Sequence, residues 1–185
     1  SERRKSPSKT QEPASGLMPP GALADWEAFA YYFYANANYC AGLREAAKAL
    51  RAIDTEGAAA IEREAAAYVR DILRAFRWAQ SMAPVVPLRD GRWVPFYPTQ
   101  LYSHGLIEEL YPGEDVGRSW CYDVELGSQH LIPLGILSPD SKEARWMHEH
   151  LEDVMYLRDG WFAYPEAENR KDWWTRGGFA KVQPY

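Results

Sequence analysis

The chain has 185 residues and a net charge of −5, and its only basic cluster is Arg3, Arg4, Lys5 and Lys9; that argues against a general nucleic-acid partner, because neutralising phosphates needs a basic surface. Hydrophobic residues at 46% and charged residues at 25% are ordinary for a soluble globular protein, and no apolar run approaches the ~18 residues of a membrane span. What stands out is the aromatic content, 8 Trp and 12 Tyr, side chains with an apolar face and a polar edge that suit a lined cleft as well as a core.

In chain order, residues 1–16 are rich in Ser and Pro and read as a flexible lead-in, leaving 17–185 as the folded part. The first residues show no apolar signal core. A leader could precede them if the chain is a piece of a longer one, so the compartment stays open, with a soluble one expected. A Pro- and Gly-rich loop, Gly16–Trp26, opens a helix expected from Trp26 to Ile53. Its first half, "WEAFAYYFYANANYCAGL", is aromatic or small on nearly every face and should be buried all round. The helix expected from Glu56 to Met82 is one-sided. Ile61, Ala65, Tyr68, Val69, Ile72, Phe76 and Ala79 form its apolar stripe, and Glu62, Arg63, Arg70, Asp71, Arg74 and Arg77 lie elsewhere around it.

The period then changes. "PVVPLRDGRWVPFYP" holds two short apolar runs around Asp90-Gly91, a dipeptide suited to a tight hairpin turn. Prolines 84, 87, 95 and 98 cannot donate a ladder hydrogen bond, which restricts these runs to edge strands. From Arg118 to Leu137 the pattern again predicts a buried helix, with Trp120, Val124, Leu131 and Leu134 on one face and Cys121, Ile132 and Ile136 on another. A one-sided helix follows. Asp140 or Ser141 is its N-cap, Met147, Leu151, Val154 and Met155 are its stripe, and Gly160 is its C-cap. An aromatic loop and the start of a further buried element, "GGFAKVQPY", complete the chain.

Buried and one-sided helices thus alternate, with long loops before the buried ones. That predicts a mainly α fold, part of an α/α toroid of two to three hairpins with a small β-hairpin. A simple bundle competes, but bundles favour connections of ~2–8 residues, and long loops tend to carry function.

Five stretches carry a resemblance: "GLMPPGALADW", "APVVPLRDGRWVPFYPTQLY", "YPGEDVGRSWCYDVELGSQHLIPLGIL", "HLEDVMYLRDGW" and "DWWTRGGFAKVQPY". Together they resemble bacterial proteins of the six-hairpin glycosidase superfamily. The resemblance implies an (α/α)6 toroid with its site at the mouth, where loops precede the inner helices. It also implies glycoside hydrolysis by two carboxylic acids, often with inversion. A full toroid has six helix pairs, and this chain supplies about two and the start of a third. The expectation is a segment of a larger enzyme, or a small protein completed by partner chains.

Glycoside cleavage needs one acid to protonate the leaving oxygen and a second carboxylate opposite it, ~6.5–9.5 Å away in inverting enzymes. Glu114 and Asp115 follow Pro112-Gly113 just before an expected buried helix, which puts them at the mouth of a toroid. Adjacent acids repel, and a partly buried one would gain the raised pKa of a general acid. The plainer reading is that one caps the helix or pairs with Arg118. Asp123 and Glu125, two apart on a helix, point about 200° from each other and read as structural, each needing a partner such as Arg118, Tyr122 or His130. Asp25 is either an N-cap or, with Trp26 as a stacking ring, a sugar-hydroxyl acceptor, as the acid–tryptophan step of rhamnosidase-type enzymes implies. Asn36 and Asn38 are expected to satisfy buried polar groups.

Trp93, Tyr97, Tyr102, Trp120, Trp161, Tyr164, Trp173 and Trp174 could stack on sugar rings, with Trp161, Trp173 and Trp174 in loops as the better candidates. Cys40 and Cys121 read as buried thiols. No metal or cofactor is expected: His148 and His150 lie two apart on a helix, and no HExxH, GxSxG, GxGxxG or GxxxxGK[ST] occurs. The expected partners are an oligo- or polysaccharide and the rest of the toroid or partner chains, with neither nucleic acid nor membrane. Two other functions remain open: a polysaccharide lyase using Tyr102, His104, Asn36 and Arg118, and a non-catalytic carbohydrate-binding or interaction module.

Overall fold

The computed structural model describes residues 13–23, 26–88, 90–102 and 127–151. These are mainly helical with small sheets: β1 (Gly21–Leu23), β2 (Trp26–Tyr32), α1 (Phe33–Leu50), α2 (Thr55–Met82), β3 (Val85–Pro87), β4 (Trp93–Pro95), β5 (Gln100–Leu101), a 3-10 turn (Ser128–Leu131) and α3 (Lys142–His150).

The first expected helix is corrected at its start. Trp26–Tyr32 is a strand, and the helix begins only at Phe33. A run that is apolar on every face satisfies a two-sided strand as well as a buried helix, and aromatics favour strands. Pairing decides the matter. β2 lies antiparallel between β1 and β5, with Tyr31 opposite Leu101 and Tyr32 opposite Gln100. The Phe33 N–H donates to the Thr99 carbonyl, so the strand edge satisfies a helix N-terminus that has no side-chain cap. Nor is α1 buried all round. Phe33, Asn36, Ala37, Cys40 and Ala47 form one buried face, while Asn38, Gly42, Glu45 and Ala46 are exposed.

The second helix follows its sequence. Asp54 caps α2 by accepting from the Gly57 N–H at 2.9 Å. Its buried face is Ala58, Ala65, Tyr68, Ile72, Ala75, Phe76 and Ala79. The short link between α1 and α2 turns the chain back. Arg51 bonds Glu62, Cys40 reaches Ala65, Asn36 reaches Tyr68 and the Phe33 ring meets Phe76. Positions that rise along one helix fall along the other, so the pair is antiparallel.

At the centre of this interface Asn36 is 2% exposed. Its Nδ2 donates to the Tyr32 carbonyl at 2.7 Å, while its Oδ1 accepts from the Met18 N–H at 3.0 Å and from the Tyr68 hydroxyl. Asn38, by contrast, is exposed and bonds only back to the Tyr34 carbonyl. Cys40 is fully buried, its thiol directed at the Ala65 carbonyl. The lead-in is docked from residue 13 on. Arg74 bonds both Asp71 and the Ser15 carbonyl, Leu17 is buried, and Gly16 (φ +84°) lies where a Cβ would strike the Asp71 carboxylate.

The hairpin forms around Asp90-Gly91 as expected, with Gly91 at φ +84°. Val86 and Val94 form a directly opposed pair, flanked by bonds from Leu88 N–H to Arg92 and from Phe96 N–H to Pro84. Pro87 and Pro95 therefore occupy the alternate positions, whose N–H groups would point away from the ladder, so each proline removes a donor that the pairing never used. Val86, Leu88, Val94 and Phe96 form a small second core, bridged to the main one by Trp146.

The expected helix Arg118–Leu137 is corrected over its described part. Residues 128–131 form a single 3-10 turn, and the chain then closes in a Schellman motif. Gly135 has φ +67°, its N–H bonds Ile132, and the Ile136 N–H reaches back to Leu131. Pro133 removes one donor and Gly135 supplies the left-handed residue, so no helix can pass through them. Arg44 of α1 clasps this turn through the Leu134 and Gly135 carbonyls at 3.0 and 3.1 Å. Helix α3 starts as expected, with Ser141 Oγ accepting from the Ala144 N–H; Val154, Met155 and Gly160 lie outside the described residues.

Because Asn36 holds the lead-in, the end of β2 and α2 at one point, Asn36→Ala should lower unfolding free energy by about 2–4 kcal/mol, the cost of losing three buried hydrogen bonds, to Tyr32, Met18 and Tyr68, at once. Tyr68→Phe, which leaves Oδ1 one donor, should cost about 1 kcal/mol. Urea unfolding followed by circular dichroism measures both; equal losses would contradict this ordering.

Candidate functional site

Most of the residues singled out from sequence lie outside the described residues: Asp25, Glu114, Asp115, Arg118, Trp120, Trp161, Trp173 and Trp174, and with them Cys121, Asp123, Glu125, His104 and Tyr164. Trp26 heads β2 opposite Leu23. The N-cap reading of Asp25 falls, because α1 begins at Phe33 with Tyr32 in the capping position.

The described residues gather two clusters. The first is a cleft between β4, β5 and α3, lined by Phe96, Tyr97, Thr99, Ser128, Gln129 and His150. His150 is 6% exposed, and its ring meets Phe96 edge to face at 5.7 Å. Among the described residues nothing hydrogen-bonds this imidazole. Burial lowers its pKa to about 4, so the ring is neutral at physiological pH. Tyr97 is shifted upward, first by burial and then by the charge of Glu143, and stays a phenol. Among the described residues the cleft holds no serine–histidine pair: the Ser128 hydroxyl donates to the Pro98 carbonyl rather than to His150. Its volume of about 20 Å³ fits one water and is far too small for a sugar ring.

The second cluster sits where β5 ends. Tyr102 takes φ +70°, the one positive φ outside glycine among the described residues. A bulky side chain in this left-handed region costs about 1–3 kcal/mol. The residue is 46% exposed, and its ring meets Tyr31 of β2 and Trp78 of α2 edge to face, at 6.0 and 5.5 Å. Tyr102 was a candidate from its residue type alone, and nothing in the sequence signals its backbone. Tyr31 was assigned to a helix, and Trp78, beside the α2 stripe rather than on it, went unmarked. A large ring flanking an amphipathic stripe was the available signal.

Charge on the described surface is locally balanced. Arg92 pairs with Asp90 at 2.7 Å and with Glu149 at 3.0 Å, tying the hairpin to α3. The backbone N–H and guanidinium of Arg92 hold the Asp90 carboxyl below its usual range. Among the described residues no group of three or more His, Cys, Asp or Glu gathers as a metal site, and no helix is long and apolar enough to cross a membrane. No protein-family model, curated protein or solved structure matches the chain.

The unfolded chain protonates His150 near pH 6.5, while the folded chain resists until about pH 4. Stability linked to this residue is therefore complete above pH 6.5 and is lost as pH falls towards 4, by about 3 kcal/mol in total. Urea unfolding across this window should show the loss in the wild type and a flatter profile in His150→Gln; parallel profiles would rule out His150 as its source.

Proposed function

We propose that this chain is a segment of a carbohydrate-active enzyme that cleaves glycosidic bonds with a carboxylic acid pair, by inversion, on an α/α-toroid frame. The observation that carries the reading is the antiparallel pairing of α1 and α2, a one-sided helix docked on its neighbour. It is a helical hairpin of the kind the sequence resemblance implies as the repeating unit. From it the chain runs through the β3–β4 hairpin and β5 into the segment holding Glu114 and Asp115. In this reading one of these acids protonates the leaving oxygen or activates water, and the partner acid lies elsewhere in the complete ring.

The lyase alternative loses one of its residues. Asn36 is buried, and its amide nitrogen and oxygen are both bonded within the fold, so it serves the fold rather than a uronate.

Full-length protein screened on aryl glycosides, with Glu114→Gln and Asp115→Asn alongside, is the test. At least one variant should lose turnover by about 10²–10⁴-fold, the range of a general acid or base. Near-wild-type rates in both would sink the assignment. The anomer released, read by NMR, separates inversion from retention, and an unsaturated uronate product would select the lyase.

A further inference from the structure

Tyr102 combines two properties that rarely meet in one residue. Its backbone is left-handed, a conformation that glycine or asparagine adopts with little penalty and a bulky residue resists. The residue is neither fully packed nor free: nearly half of it is open to solvent, while Tyr31 and Trp78 hold its ring edge to face. A residue needed only to turn the chain after β5 would be glycine. A residue needed only for packing would be buried, as Leu101 and Gln100 beside it are. Contacts with Tyr31 and Trp78 hold the ring in place, and strain retained at a half-exposed aromatic residue points to ligand contact.

The cluster's chemistry narrows the ligand. Two phenols and an indole present apolar faces with hydroxyl and N–H groups at their edges. A pyranose ring has the complementary pattern, with C–H groups on its face and hydroxyls around its rim. The net charge of −5 disfavours an anionic sugar. We infer that Tyr102, backed by Tyr31 and Trp78, is a binding subsite for a neutral pyranose unit of an oligosaccharide. The inference rests on the carbohydrate-active reading and adds a named subsite to it.

Isothermal titration of the full chain with cellopentaose, maltopentaose and xylopentaose tests it. At least one should bind the wild type. Tyr102→Ala should weaken that binding by about tenfold with melting temperature preserved, and Tyr102→Phe should restore most of it. Tyr102→Asn, which suits the left-handed backbone, should fold at least as well as the alanine variant and bind as weakly. Unchanged affinity in the alanine and asparagine variants would overturn the subsite and leave the carbohydrate reading standing. No binding of any of the three sugars by the wild type would overturn both, and binding of trigalacturonate in their place would overturn the neutral-sugar assignment.

Discussion

The arrangement of the described chain depends on the side chain of one asparagine. The interface between α1 and α2 combines alanines, Ala37 and Ala47 on one side and Ala58, Ala65, Ala75 and Ala79 on the other, with the large side chains Phe33, Tyr68, Ile72 and Phe76. Small side chains let the helices approach closely, and the large rings give the surface its relief. Asn36 adds a polar constraint on register. A shift of α1 by one position would bring Ala35 or Ala37 opposite the Tyr68 hydroxyl and break the bonds that Asn36 accepts from that hydroxyl and from the Met18 N–H. Buried groups that lose a partner cost more than the bond contributes on forming. The network thus specifies register rather than adding much net stability, and the thiol of Cys40 on the Ala65 carbonyl sits at the same interface.

Register at this interface decides what lies above it. With Asn36 opposite Tyr68, the Phe33 ring meets Phe76 edge-on at 5.6 Å, and Phe76 in turn stacks on Tyr97 at 5.4 Å. This aromatic ladder carries the position of α2 into the segment between the hairpin and β5. Because Asn36 also bonds the Tyr32 carbonyl, it fixes the end of β2 against the same helix. β2 then sets β5 through Tyr31–Leu101 and Tyr32–Gln100. Tyr102 comes next along the chain, so the network and the strained residue are linked through continuous hydrogen-bonded and packed structure. The left-handed backbone at Tyr102 persists because its neighbours over-determine it.

What could be read from sequence follows from how local each signal is. α2 was legible because a 28-residue helix repeats its stripe many times and Asp54 caps it through a contact three residues away. The hairpin was legible because Asp90-Gly91 carries its own turn chemistry, and Ser141 because an N-cap is also local. β2 was not legible. Its residues are compatible with strand or helix, and the choice is made by pairing with Gly21 and Leu23 on one side and with Gln100 and Leu101, far along the chain, on the other. The turn after Ser128 could have been read: Pro133 and Gly135, two residues apart, are a stop signal, but the apolar pattern around them concealed it. Of the candidate site, residue types alone suggested Tyr102, while its φ and its neighbours Tyr31 and Trp78 come from a sheet that the pattern did not predict.

The contrast between the two clusters separates burial from function. His150 has the more perturbed chemistry, a neutral imidazole without a hydrogen bond among the described residues, yet burial alone causes its shift and its cleft holds no more than a water. Perturbed titration marks a functional group only where a substrate can reach it. Tyr102 stands at the surface in a conformation its residue type disfavours. A sugar is recognised mainly by ring faces and hydroxyl-directed edges, and these require exposure rather than a shifted proton. Under the proposed carbohydrate reading, the conformational departure is therefore the better marker of a ligand contact, and the titrating one belongs to the folding of α3 onto the hairpin.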